Sequence, residues 1–179
     1  MEKGDCFLMK GLTTTEPMTL YYITDKYEDK VKALRIYIGN DMVQALTYDS
    51  EFDDEIPVDA LYLPFGTYSH VIDCMKSFLA EIKSFLRDNV IDGEYELKVG
   101  GHYYDGYIQT ITSIGETRAK YTLFRLEEEN ISPCWKGDGN IDTLLNSCRP
   151  ITDEVYNEAK RRYFAFVNEL RDKLCNKLC

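Results

Sequence analysis

Positive charge is what this sequence has too little of: 21 Lys and Arg stand against 31 Asp and Glu, leaving a formal net charge of −10. That balance excludes a surface that grips nucleic-acid phosphates, which needs a basic stripe. Long apolar runs are also missing. The most apolar stretch, Val71 to Leu86, is broken by Asp73, Lys76, Glu81 and Lys83, so no membrane span is expected. The opening Met1-Glu2-Lys3-Gly4-Asp5 lacks the basic-then-apolar pattern of an export signal. A reducing cytoplasm with unpaired thiols is the corresponding expectation for the six scattered cysteines. Histidine occurs only twice, which disfavours a histidine-built metal centre. Gly100, Gly101 and Gly106 are not followed by Gly-Lys-Ser/Thr or by a helix-opening dinucleotide fingerprint, so no phosphate loop is read here.

What the chain does have is aromatic mass and pattern. Fourteen tyrosines, eight phenylalanines and a tryptophan are too many for a disordered chain. Strand-like runs occur at Gly4–Gly11, Tyr21–Thr24, Ala33–Ile38 and Val43–Tyr48, the third with Leu34, Ile36 and Ile38 on one side. A second set follows at Gly93–Gly100, Gln109–Thr112, Lys120–Leu126 and Ile131–Lys136, the last weakened by Pro133. Each set runs through an acidic stretch into an amphipathic helix. Val71, Cys74, Met75, Phe78, Ile82 and Phe85 make the first stripe; Tyr156, Ala159, Tyr163, Phe166, Val167, Leu170 and Leu174 make the second. Thr67 or Ser69 is the expected cap of one helix and Thr152 of the other. Aligning Thr67 with Thr152 pairs Val71 with Tyr156, Cys74 with Ala159 and Phe78 with Tyr163. The expected fold is α+β, with two related halves, 1–89 and 90–179, each a small antiparallel β-meander followed by one amphipathic helix, closely packed after an internal duplication.

Candidates for chemistry are few. Asp138, Asn140 and Asp142 alternate as the first ligands of a calcium loop would, and Asp49, Glu51 and Asp53 do the same in the first half. The twelve-residue loop needs glycine sixth and glutamate twelfth. Those places hold Thr143 and Arg149, or Asp54 and Ala60, so the motif fails twice and ordinary solvated turns are expected. His102 lies in a glycine-flanked aromatic loop and His70 in the first turn of a helix; a His-Asp dyad with Cys6 or Cys134 as nucleophile can be drawn, but no spacing requires it, and an exposed loop histidine is the expectation. Cys175 and Cys179, four apart, could share one helical face as a metal pair or an intermolecular disulfide, but solvent-side or packing thiols on a helix end are the expectation. No catalytic residue, metal ligand or cofactor is assigned. The remaining signal is contact area: Leu61-Tyr62-Leu63-Pro64-Phe65-Gly66 is an apolar loop that something must cover, and Gly100 to Tyr107 is a glycine-flanked aromatic stretch. Tyr62, Phe65, His102, Tyr103, Tyr104 and Tyr107 are the candidate ligand or partner surface.

The glycine-bracketed opening Gly4–Gly11, the meander, and the closing helix introduced by Ile151-Thr152-Asp153-Glu154-Val155-Tyr156-Asn157-Glu158-Ala159 give the chain an outline. In that outline it resembles small proteins encoded by tailed phages and mobile elements of gut bacteria. The resemblance carries over no site residue. It implies a virion component, an anti-defence factor or an accessory protein, located in the host cytoplasm or the virion. The expected function is a non-enzymatic protein–protein interaction module, with a protein partner or self-assembly. The alternatives are an anti-defence protein that binds a small ligand such as a nucleotide signal, and an acidic mimic of nucleic acid.

Overall fold

The computed structural model describes residues 2–10, 17–27, 30–53 and 60–176. The protein is α+β, with a large antiparallel sheet and three helices among the described residues. Two compact units divide it: Met1–Ser77 with Glu128–Asn130 and Ala165–Cys179, and Phe78–Glu127 with Ile131–Phe164. No helix among the described residues is long and apolar enough to cross a membrane.

The first unit contains β1 (Cys6–Lys10), β2 (Met18–Tyr27), β3 (Lys30–Ile38), β4 (Val43–Asp53) and β5 (Leu61–Leu63), in the spatial order β5-β1-β2-β3-β4. Alternation builds β3: Val31, Ala33, Ile36 and Ile38 are buried, and the phase slips at the irregularity between Ala33 and Arg35. On one face Phe7, Ile23, Val31 and Ala33 form a cluster with Met9, Tyr21 and Ala60 against it. The Phe7 and Tyr21 rings are stacked at 4.8 Å. α1 (Thr67–Arg87) begins in this unit and buries Val71 and Met75. Its start is fixed by backbone rather than by a hydroxyl cap. Gly66, at φ +87°, turns the chain, His70 N–H donates to the Gly66 carbonyl at 2.9 Å, and the Thr67 hydroxyl donates outward to the Pro64 carbonyl at 2.7 Å.

The second unit contains β6 (His102–Tyr104), β7 (Ile108–Ile114), β8 (Arg118–Glu127), β9 (Asn130–Asn140) and β10 (Arg149–Ile151), in the order β10-β6-β7-β8-β9. A short helix α2 (Ile141–Ser147) intervenes before β10, and α3 (Asp153–Asn176) follows it. Asn140 caps α2, its side chain accepting from the N–H groups of Asp142 and Thr143 at 2.9 and 3.2 Å. Thr152 caps α3 as expected, accepting from Val155 N–H at 3.3 Å. Tyr163 is the largest fully buried side chain, with Phe124 edge-on at 5.5 Å and Phe78 at 6.5 Å. The opposite face holds Tyr103, Ile111, Ala119, Leu144 and Cys148, with Tyr95, Leu97, Tyr121 and Ile141 around them.

Three expectations change. Gly93–Gly100 is irregular, and the strand lies beyond it at His102–Tyr104, because Tyr95 and Leu97 pack onto the core without a paired backbone. Leu61–Leu63 is a strand, not a loop. The acidic residues Asp49, Glu51 and Asp53 belong to β4, not to a turn, and its register sets Asp53 opposite Lys30 and Glu51 opposite Lys32.

Candidate functional site

The six surface candidates fall in two places. Tyr62 and Phe65 lie in the first unit, on and just after β5, which is the terminal strand of that unit's order and pairs antiparallel with β1. Alternation sends Leu63 into the core and leaves Tyr62 at 53% exposure. Phe65, in the turn before α1, is the most exposed large apolar side chain described, at 86%. Its ring lies against Gly4, where an added Cβ would stand 3.4 Å from it. Gly4 has φ +96°, a region that glycine enters freely.

His102, Tyr103, Tyr104 and Tyr107 lie in the second unit, around the β6–β7 hairpin. Alternation along β6 separates them. Tyr103 is buried in the core, with its hydroxyl accepting from Lys98 N–H at 2.9 Å and donating to the Glu96 carbonyl at 3.1 Å. Tyr104 is buried as well, and burial pushes its hydroxyl pKa up. Tyr107 donates to the Glu127 carboxylate at 2.8 Å, and that bond is the main cause of its raised pKa.

His102 sits in a defined polar setting. Its ring stacks on Tyr156 at 3.8 Å and 18°, Nδ1 is 2.7 Å from the Thr110 hydroxyl, and Nε2 is 3.6 Å from the Asp153 carboxylate. If Nδ1 accepts from Thr110, the tautomer puts N–H at Nε2, toward Asp153. Burial lowers the His102 pKa, partly offset by Asp153, so the ring is neutral near pH 7.

Sequence spacing gave no sign of the grouping around Cys148. This buried thiol faces Asp105 at 3.6 Å and the Gln109 amide nitrogen at 3.5 Å, and Gln109 also donates to Asp105 at 2.9 Å. Burial pushes the thiol up to about 11, so it stays protonated and is no activated nucleophile. Beside it runs an open groove of about 480 Å³ lined by Asp92, Gly93, Glu94, Tyr95, Leu145 and Arg149. The Tyr95 hydroxyl donates to the Cys148 carbonyl at 2.6 Å.

The other candidates resolve individually. Asp138 pairs with Arg118 at 2.6 Å, Asn140 is a helix cap, and no group of three or more His, Cys, Asp or Glu among the described residues could hold a metal. Cys6, Cys74, Cys148 and Cys175 carry thiols and form no disulfide; Cys179 and the Cys134 side chain lie outside the described residues. Cys74 is half-buried, with its sulfur 3.7 Å from His70 Nε2. Comparison with protein-family models, with curated proteins and with solved structures finds no match for this chain.

Proposed function

We propose that this chain is a non-enzymatic protein–protein interaction module, and that Tyr62 and Phe65 beside the terminal strand β5 form its contact surface. The observation that carries this reading is Phe65 at 86% exposure. A phenylalanine left in water forgoes about 1.5–3 kcal/mol of burial, which a partner can recover. Exposed aromatics beside a strand that ends the sheet order among the described residues offer both a ring anchor and backbone hydrogen bonds to an incoming chain. Replacing Phe65 by Asp with Tyr62 by Ser should leave the melting temperature nearly unchanged, since neither ring is buried. Association, by self-association or with co-purifying partners, should weaken at least about 30-fold, the effect of losing an aromatic anchor worth 2 kcal/mol. Unchanged association of the double variant would overturn the proposal.

The module is further read as a tandem duplication. Supporting this, β1 pairs with both β2 and β5, and β6 pairs with both β7 and β10. Both β2–β3 and β7–β8 carry a register break, at Ile23/Asp25 and at Ile111/Ser113. Gly4 N–H donates to the Ile23 carbonyl at 2.9 Å, and Gly100 N–H to the Ile111 carbonyl at 2.8 Å. From β2 onward the buried positions repeat at one spacing: 111 less 23, 124 less 36 and 151 less 63 are all 88. The same spacing continues through the helices, as Val71 with Ala159, Met75 with Tyr163, Leu79 with Val167 and Ile82 with Leu170. The strand registers therefore favour an alignment three residues from the one that the threonines at 67 and 152 suggest.

A further inference from the structure

His70 and Cys74 stand one turn apart on α1, with Cys74 Sγ 3.7 Å from His70 Nε2. His70 is exposed and Cys74 half-buried, so the pair faces solvent. We propose that this pair is a chelate for zinc, completed by the same pair from a second copy of the chain. The argument is one of bite distance. Zinc takes thiolate sulfur at about 2.3 Å and imidazole nitrogen at about 2.0–2.1 Å in tetrahedral geometry, which sets sulfur and nitrogen about 3.5 Å apart. The two donor atoms already stand close to that separation, so a metal could enter with a small side-chain adjustment. The spacing of four residues along a helix is what lets both donors reach one ion.

The donor set also selects the metal. One thiolate and one imidazole suit a borderline-soft ion, not calcium or magnesium. Among the described residues no third His, Cys, Asp or Glu joins the pair, so one chain leaves half of a tetrahedron open. Two chains supply two sulfurs and two nitrogens, the donor set of a closed structural zinc site. Each Cys74 gives its thiol proton to solvent on binding, so two thiolates neutralise the ion's two positive charges. The nearby ammonium of Lys173 is held by the Glu169 carboxylate at 2.7 Å, which tempers its repulsion of the metal.

This inference does not rest on the Phe65 contact, and its test is run in the wild type and in the Phe65→Asp variant so that the two surfaces are read separately. The metal-free chain is titrated with zinc while mass is followed by light scattering, and cobalt(II) is used in parallel as a spectroscopic probe. Expected are a doubling of mass complete at half an equivalent of zinc per chain, reversal by a chelator, and sulfur-to-cobalt charge transfer. His70→Ala and Cys74→Ser should each abolish the response while keeping the wild-type circular dichroism; Cys175→Ser should retain it. A response that survives in Cys74→Ser, or zinc uptake at one per chain without a change in mass, would overturn the proposal.

Discussion

In the proposed duplication Cys6 and His102 fall at matching positions, and the two units furnish them differently. Cys6 on β1 is paired in register with Tyr22, and the Tyr22 and Tyr68 rings stack at 5.3 Å. His102 on β6 is paired with Thr110, and there the imidazole itself stacks on Tyr156. In the first unit the arrangement is apolar and aromatic: Cys6 is buried, and burial, followed by the nearby Cys6, pushes the Tyr68 hydroxyl up. The second unit holds a polar chain from Thr110 through His102 to Asp153. If the two positions are matched as proposed, similar strand pairing supports contacts of different chemistry. Shape at such a position is set by strand pairing, whereas its response to solution conditions is set by the side chain placed there.

The comparison is tested most severely in the core. Met75 and Tyr163, both fully buried, occupy matching places in the proposed duplication. Met75→Ala should cost about 2–5 kcal/mol and Tyr163→Ala about 3–5 kcal/mol, measured by denaturant unfolding. The larger loss is expected at Tyr163, which also gives up its ring contacts with Phe78 and Phe124. A cost below about 1 kcal/mol at Met75 would show that its surroundings collapse around the gap and that the two positions are not equivalent.

A smaller effect discriminates more finely. Gly4 and Gly100 make matching hydrogen bonds and both have positive φ, at +96° and +84°. Nothing lies within 4 Å of a Cβ added to Gly100, whereas one added to Gly4 meets the Phe65 ring. Gly100→Ala should therefore cost only the backbone strain, about 1–2 kcal/mol. Gly4→Ala should cost a similar amount in stability, and its added methyl would stand in van der Waals contact with the Phe65 ring, 3.4 Å away. Its distinguishing mark is a change in association that Gly100→Ala lacks. Equal association of the two variants would separate Gly4 from the proposed contact surface.

These elements were not equally legible in the sequence. The long strands and both long helices could be read because each repeats its apolar period several times, as in Leu34, Ile36 and Ile38 or Val71, Met75 and Phe78. β5 and β10 are three residues each, too short to show a period, and they form only by returning to β1 and β6. Tyr95, Leu97 and Val99 alternate like a strand, yet no partner strand reaches them. The helix alignment from the threonine caps differs from the strand-based one by three residues because a shift of nearly one turn preserves a helical stripe. Among the candidate residues, the exposure of Tyr62 and Phe65 followed from an apolar segment with no place in the pattern. The Cys148 grouping could not be read, since Asp105 and Cys148 come together only through the fold.

The smallest effect bears directly on the difference between the units. The His102 pKa is lowered by burial. Below its unfolded value, near 6.5, the unfolded chain therefore takes up a proton that the folded chain resists. The neutral ring's contribution to stability is present above that pH and is lost as pH falls through the folded pKa. Asp153 opposes the shift and Lys160 adds to it, so the net slope is modest. His102→Gln removes the titrating group while keeping a side chain that can face Thr110, and it should flatten the dependence of melting temperature on pH between about 7 and 5. Cys6→Ala, at the position that the proposed duplication matches to His102, should lower stability by the same amount at both ends of that range, because it leaves the imidazole in place. If His102→Gln keeps the wild-type slope, the acid sensitivity arises elsewhere and the two positions differ in packing alone.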